Sequence, residues 1–234
     1  MLPKGILFDL DDTIVSYSAV ADPTWHDVCR EYADRYTLGE PNTLFTAIRE
    51  IGNWYWSDAE RHKNGRNDLN NARRLIVSLA FQKLNINESI ALQVADAFSK
   101  QREDAVHLFD GGKETLEHLR QHGVLLALMT NGEGHKQRSK IRRFDLEKYF
   151  NAILIEGEMG FGKPEMAVYY RALDELGLKP EDVWSVGDNL EWDVGGPQKL
   201  GIHGIWNDHA RQGLPPASKI IPDRIIHQIT ELID

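Results

Sequence analysis

The chain has one cysteine, Cys29, among its 234 residues, so no intrachain disulfide can form, a usage that fits a reducing compartment. It has no long apolar run. The longest near mid-chain, 124–129, is far too short to cross a bilayer, which takes about 20 apolar residues. It has no long basic run, and its net charge is −9. Nucleic acid is therefore not expected as a partner, because binding a phosphate backbone takes clustered Lys and Arg. A small anionic substrate stays open, since only the charge local to a site matters to it. There is no internal repeat and no low-complexity segment. The first residues run into Asp9, Asp11 and Asp12 and do not have the form of a secretory signal. The expectation is a soluble, cytoplasmic protein with no membrane partner; monomer and homodimer both stay open.

The length suits one large domain, or a core with a smaller insert. Five short apolar runs read as buried parallel strands: 5–8, 124–129, 152–155, 183–186 and 202–206. Each is continuous rather than alternating, as expected when both faces of a sheet are covered. Helical patterns lie between them, over 113–122 up to Gly123, and over 164–176 with Pro164 at its start and Gly177 at its end. The last segment reads as a short strand over 223–226 and a closing helix over 227–233. Strands alternating with helices predict an α/β fold with a doubly wound parallel sheet.

Residues 16–104 break that rhythm. They hold no strand-like run but four helical patterns, 23–36, 43–56, 69–84 and 88–102, with 85–87 as a break. We expect a core domain of residues 1–15 and 105–234 and an inserted, all-helical domain of residues 16–104. Gly111 and Gly112 supply a turn after the insert.

Chemistry gathers where the apolar runs end. After the first come Asp9, Asp11, Asp12 and Thr13. Asp12 and Thr13 also suit the capping of a following turn. Asp9 and Asp11 are two residues apart and can project to one side of a strand end. Crowded carboxylates raise the electrostatic energy unless a cation or a shared proton relieves it. A matching set follows the run 183–186: Gly187, Asp188, Asn189, Glu191 and Asp193. Oxygen ligands of this kind suit a hard cation such as Mg²⁺. Asp9, the Asp11 backbone carbonyl and Asp188 could form a half-shell, with Asp193 acting through water or holding Asp188. Glu191 reads equally as a residue facing solvent. A third apolar run ends in Thr130, Asn131 and Gly132, donors that suit phosphate oxygens and also a common turn. Lys163, before Pro164, can reach across the strand ends or lie on the surface.

These four signals, in this order, resemble the haloacid dehalogenase superfamily of phosphohydrolases, the subfamily with a helical cap inserted after the first strand. Its four motifs stand here as Asp9 to Thr13, as Thr130, as Lys163, and as Gly187-Asp188 with Asp193. The resemblance implies a Mg²⁺-dependent phosphatase that works through an aspartyl-phosphate. Asp9 would be the nucleophile. Asp11 would protonate the leaving oxygen and then deprotonate water, which leads us to expect its acidity weakened by acidic neighbours. Thr130 and Asn131 would hold phosphate oxygens, and Lys163 would neutralise developing charge. The metal set would come from Asp9, Asp11, Asp188 and Asp193.

An acid at Asp11 argues for an oxygen leaving group, since family dehalogenases lack one there. The expected substrate is a small phosphorylated metabolite: a sugar phosphate, phosphoglycolate or a nucleoside monophosphate. A phosphosugar mutase shares all four motifs and is the alternative; a 2-haloacid dehalogenase and a non-catalytic binding module are further ones. In the insert, Trp25, Trp54, Tyr55, Trp56, Arg61, His62, Lys63, Arg66, Arg73 and Arg74 either pack and solvate helices or recognise a leaving group. Residues 15–18 and 105–112 are the expected hinges of the cap.

Overall fold

A computed structural model describes residues 2–233. Six parallel strands form the main sheet: β1 (Gly5–Phe8), β4 (Leu125–Thr130), β5 (Ala152–Ile155), β6 (Val183–Gly187), β7 (His203–Asn207) and β8 (Arg224–Ile226). Their order is β5-β4-β1-β6-β7-β8. Ile6, Leu7 and Phe8 are wholly buried, as a strand covered on both faces requires. Each such side chain stabilises the fold by about 1.5–3 kcal/mol relative to exposure. The chain runs outward from β1 through β4 to β5, then returns to the other flank of β1 as β6. Such a reversal opens a crevice at the carboxyl ends of the strands. The expected α/β doubly wound sheet is present.

Two further strands, β2 (Val15–Ser16) and β3 (His107–Leu108), pair antiparallel. The chain divides into two compact units, one of residues up to Ser16 together with those from His107 onward, the other Tyr17–Val106. The second unit is helical: α1 (Ala21–Tyr36), α2 (Pro41–Trp56), α3 (Ala59–Arg66), α4 (Leu69–Lys83) and α5 (Glu88–Ala105). Its own core includes Trp25, Ile48, Ile76, Phe81 and Phe98. The helix α3 was not expected. Its sequence has no apolar stripe; the Asp58 side chain starts it by accepting from the Arg61 N–H at 2.8 Å. Among the described residues, no helix is long and apolar enough to cross a membrane.

In the first unit the helices are α6 (Gly112–Gln121), α7 (Gly134–Arg143), α8 (Glu156–Met159), α9 (Met166–Leu176) and the short α10 (Gly196–Gln198). Two expectations are corrected here. Pro164 lies in a turn closed by the Glu165 N–H on the Gly162 carbonyl at 2.8 Å, and α9 starts at Met166. The reason is that Asn131 holds both backbone groups of Lys163, so the chain cannot coil until after it. The closing helix over 227–233 is a single 3₁₀ turn, Ile229–Leu232. There the Glu231 carboxylate accepts from the His227 N–H at 2.9 Å, which a helix spanning both residues does not provide.

Candidate active site

Asp9 follows β1 directly, and its N–H bonds to the Val186 carbonyl of β6 at 2.9 Å. That ladder contact brings the end of β1 beside the end of β6, where Asp188 stands. Gly187 makes the close approach possible: a Cβ there would lie 2.6 Å from the Asp193 Cβ. Asn189 starts a π-helical turn, Leu190–Gly195, by accepting from the N–H groups of Glu191 and Trp192, each at 3.0 Å. The turn directs Asp193 inward and buries it, while Glu191 faces solvent.

Lys163 occupies the middle. Its ammonium, 2 % exposed, donates to Asp9 Oδ1 at 2.7 Å and to Asp193 Oδ1 at 2.6 Å. The other Asp193 oxygen accepts from the Asn189 N–H at 3.0 Å. Burial alone would lower the Lys163 pKa, but the two carboxylates hold it above its ordinary value. Burial pushes the Asp9 carboxyl up to about 7, Asp193 and Asp11 adding to the rise against the pull of Lys163. Burial, then the charges of Asp9, Asp193 and Asp12, push Asp188 up to about 9.

Carboxylate oxygens of Asp9, Asp188 and Asp193 all lie within 4.8 Å of one another. A second group of the same size joins Asp12, Asp188 and the His209 ring. The all-oxygen set fits a hard divalent cation such as Mg²⁺, and a double positive charge there would relieve the crowding that raises Asp9 and Asp188. Asp11 belongs to neither group. Its two oxygens each receive the Lys140 ammonium at 2.6 Å, and one also receives the Gln137 amide at 3.0 Å. The neighbours that bond its carboxylate are thus a cation and an amide rather than acids.

Thr130, at the end of β4, is buried, and its hydroxyl accepts from the Gln137 amide. The Asn131 side chain clamps Lys163: its amide donates to the Lys163 carbonyl at 2.6 Å, and its oxygen accepts from the Lys163 N–H at 2.9 Å. Gly162 lets that clamp close, since a Cβ there would meet Asn131 Oδ1 at 2.6 Å. Lys140 and Gln137, both on α7, were missed from the sequence. The only signal was Gln137 one helical turn before the buried Ile141, which marks the inner face of a polar helix.

In the helical unit, Trp25 stacks on Phe98 with ring centres 3.6 Å apart, whereas Trp54 is exposed beneath the Arg61 guanidinium. Arg74 forms an exposed two-bond pair with Asp96.

The model of the haloacid dehalogenase-like hydrolases matches residues 3–201. A phosphoserine phosphatase of Thermus thermophilus is 27% identical over 98% of this chain and 97% of its own. An (S)-2-haloacid dehalogenase of Burkholderia cepacia is 31% identical over 51% of this chain and 49% of its own. Among solved structures, the HAD-hydrolase YfnB of Bacillus subtilis bound to magnesium superposes with a TM-score of 0.75 at 22% identity, covering 99% of this chain and 97% of that one. It shows the shared fold.

Proposed function

The chain belongs to the haloacid dehalogenase-like hydrolases, and from that premise we propose that it hydrolyses a small phosphomonoester with Asp9 as nucleophile. The observation that carries this reading is the buried cation between two acids, Lys163 at 2.7 Å from Asp9 and 2.6 Å from Asp193, at the mouth of the sheet crevice. A carboxylate meets a phosphate dianion only if positive charge offsets their repulsion.

Asp9 and Asp188, with the Asp11 backbone carbonyl, would hold Mg²⁺; Asp193, already bonded to Lys163 and the Asn189 N–H, positions that lysine. When bound, the cation polarises phosphoryl oxygens and offsets their charge. An Asp9 oxygen attacks phosphorus; the bond from phosphorus to the ester oxygen breaks, and that oxygen takes a proton from Asp11. Water then attacks the phosphorus, gives its proton to Asp11, and releases inorganic phosphate with Asp9 restored. Thr130 and the Asn131 N–H bind the transferring oxygens. Incoming phosphate competes with Asp11 for Lys140 and Gln137; Asp11, once released, takes a proton from solvent and holds it for the leaving oxygen. The full-length match to a phosphoserine phosphatase supports a phosphate ester. The partial match to a haloacid dehalogenase supports a second reading, a halide leaving group, against which Asp11 stands.

The test is release of inorganic phosphate from a panel of phosphomonoesters, with and without Mg²⁺, for the native protein and Asp9→Asn. The expected result is Mg²⁺-dependent release that Asp9→Asn abolishes while the fold is retained. Isomerised sugar phosphate with little free phosphate would identify a mutase. Full turnover by Asp9→Asn would refute the assignment.

A further inference from the structure

We propose that Asp12, Asp188 and His209 form a second cation site, which takes a transition-metal ion such as Mn²⁺, Co²⁺ or Zn²⁺ through an imidazole as well as carboxylates. One donor atom from each of the three lies within 4.8 Å of the other two. Donors bonded at about 2.0–2.2 Å to a common ion stand at most about 4.4 Å apart, so small side-chain movements close the three on an ion. They surround a gap rather than bonding one another. Among the described residues, the His209 ring makes no hydrogen bond or ion pair with either acid; it packs on Phe109, with ring centres 5.4 Å apart. A cavity of about 100 Å³ opens there, with Asp188, Asn207, Asp208 and His209 in its wall. That volume has room for an ion and some of its waters.

Asn207, 1 % exposed, ties this wall to Asp12: its amide nitrogen donates to the Asp12 carbonyl at 3.1 Å. The oxygen of the same amide is buried and accepts no hydrogen bond. A buried acceptor left without a donor is costly. An ion among the three side chains supplies what that oxygen lacks, directly or through a bound water. The scaffold already holds the donors in place. Asp12 sits at φ 61° in a turn where its N–H bonds to the Val15 carbonyl at 2.7 Å. The Asp188 carbonyl accepts from the Trp206 indole at 2.7 Å. Asp208 pins the loop that carries His209: its carboxylate accepts from the N–H groups of Gln212 and Gly213, each at 2.8 Å. The donor types choose the ion. Mg²⁺ prefers oxygen ligands and dehydrates reluctantly, whereas imidazole suits the transition metals. Asp188 also belongs to the all-oxygen group with Asp9 and Asp193; a carboxylate has two oxygens and can serve two neighbouring ions.

This site goes beyond the phosphatase reading and is read by occupancy rather than turnover. The probe is Co²⁺, added to the full chain in excess Mg²⁺. A histidine bound to Co²⁺ shows an exchangeable imidazole N–H proton with a paramagnetic shift in the proton NMR spectrum. The native protein should show one such proton, and His209→Gln none. Equilibrium dialysis should show Co²⁺ affinity at this site at least about tenfold weaker in His209→Gln, the scale of losing even a supporting partner of a metal ligand. Asp12→Asn, which keeps the size of the side chain, should weaken it likewise, with circular dichroism reporting the fold of each variant. Asp9→Asn disables the all-oxygen group and should keep the shifted proton. No shifted imidazole proton with Co²⁺ up to about 1 mM, its survival in His209→Gln, or undiminished affinity in Asp12→Asn would overturn the proposal. So would its loss in Asp9→Asn, which would leave a single site. Absence of phosphate release would sink the phosphatase reading and leave this one standing.

Discussion

Replacing Lys163 by Met keeps an unbranched side chain of similar reach and removes the ammonium between Asp9 and Asp193. The native group is 2 % exposed, with carboxylate oxygens at 2.7 and 2.6 Å. Removing one partner of a buried ion pair costs about 3–5 kcal/mol, because the other charge is left stranded. Here two carboxylates are stranded, but one can escape by taking a proton. Burial already pushes Asp9 up to about 7, so at pH 5 that proton is in place, only Asp193 loses its partner, and the loss should be smaller. At pH 8 both acids are charged in the unfolded chain, and the full penalty is expected. For a chain of this size 1 kcal/mol corresponds to roughly 2–4 °C, which predicts a fall in Tm of roughly 6–20 °C at pH 8. Mg²⁺ should return part of that stability and none of the phosphatase activity. Thermal melts by circular dichroism at pH 5 and pH 8, with and without Mg²⁺, read the outcome. A Tm at pH 8 within about 2 °C of the native protein, or the same fall at both pH values, would refute the reasoning.

Two more outcomes follow from the same geometry. Gly187→Ala places a Cβ 2.6 Å from the Asp193 Cβ, so Asp193 must swing away from Lys163. The expected cost is about 1–3 kcal/mol of overpacking, with phosphate release lost, and native kinetics in this variant would show that Asp193 does not position the lysine. Second, Asp9 and Asp188, pushed up to about 7 and about 9, keep protons that the unfolded chain loses near pH 4. Metal-free stability should therefore fall as pH rises from about 4 toward 9. Mg²⁺ must displace those protons, so its affinity should climb up to about tenfold per pH unit between 7 and 9, and more steeply below 7; a calorimetric affinity that is flat from pH 6 to 9 would contradict the shared site.

Much of the core was legible because its chemistry follows apolar runs directly. Asp9 after Phe8, Thr130 after Met129 and Asp188 after Gly187 each stand at the end of a buried strand, and a run of buried residues shows in sequence without its partners. Lys140 was not legible. It lies on α7 among Lys136, Arg138, Arg142 and Arg143, and nothing local separates the cation that meets Asp11 from those that meet other partners or solvent. Arg73 and Arg74 make the same point: neighbours in sequence, one is buried against Tyr17 and the other pairs with Asp96 at the surface. The helix α3 escaped notice because its start depends on one capping carboxylate rather than on an apolar stripe.

The sequence by itself determined which groups stand at strand ends and in what order, and hence the family and the kind of chemistry available. Only the tertiary structure decided which groups meet. Lys163 is 154 residues from Asp9 and 30 from Asp193, and their pairing exists because β6 lies against β1 rather than beyond β5. Electrostatic energy depends on distance in space and on the exclusion of water, and neither quantity is written in the spacing of residues along a chain.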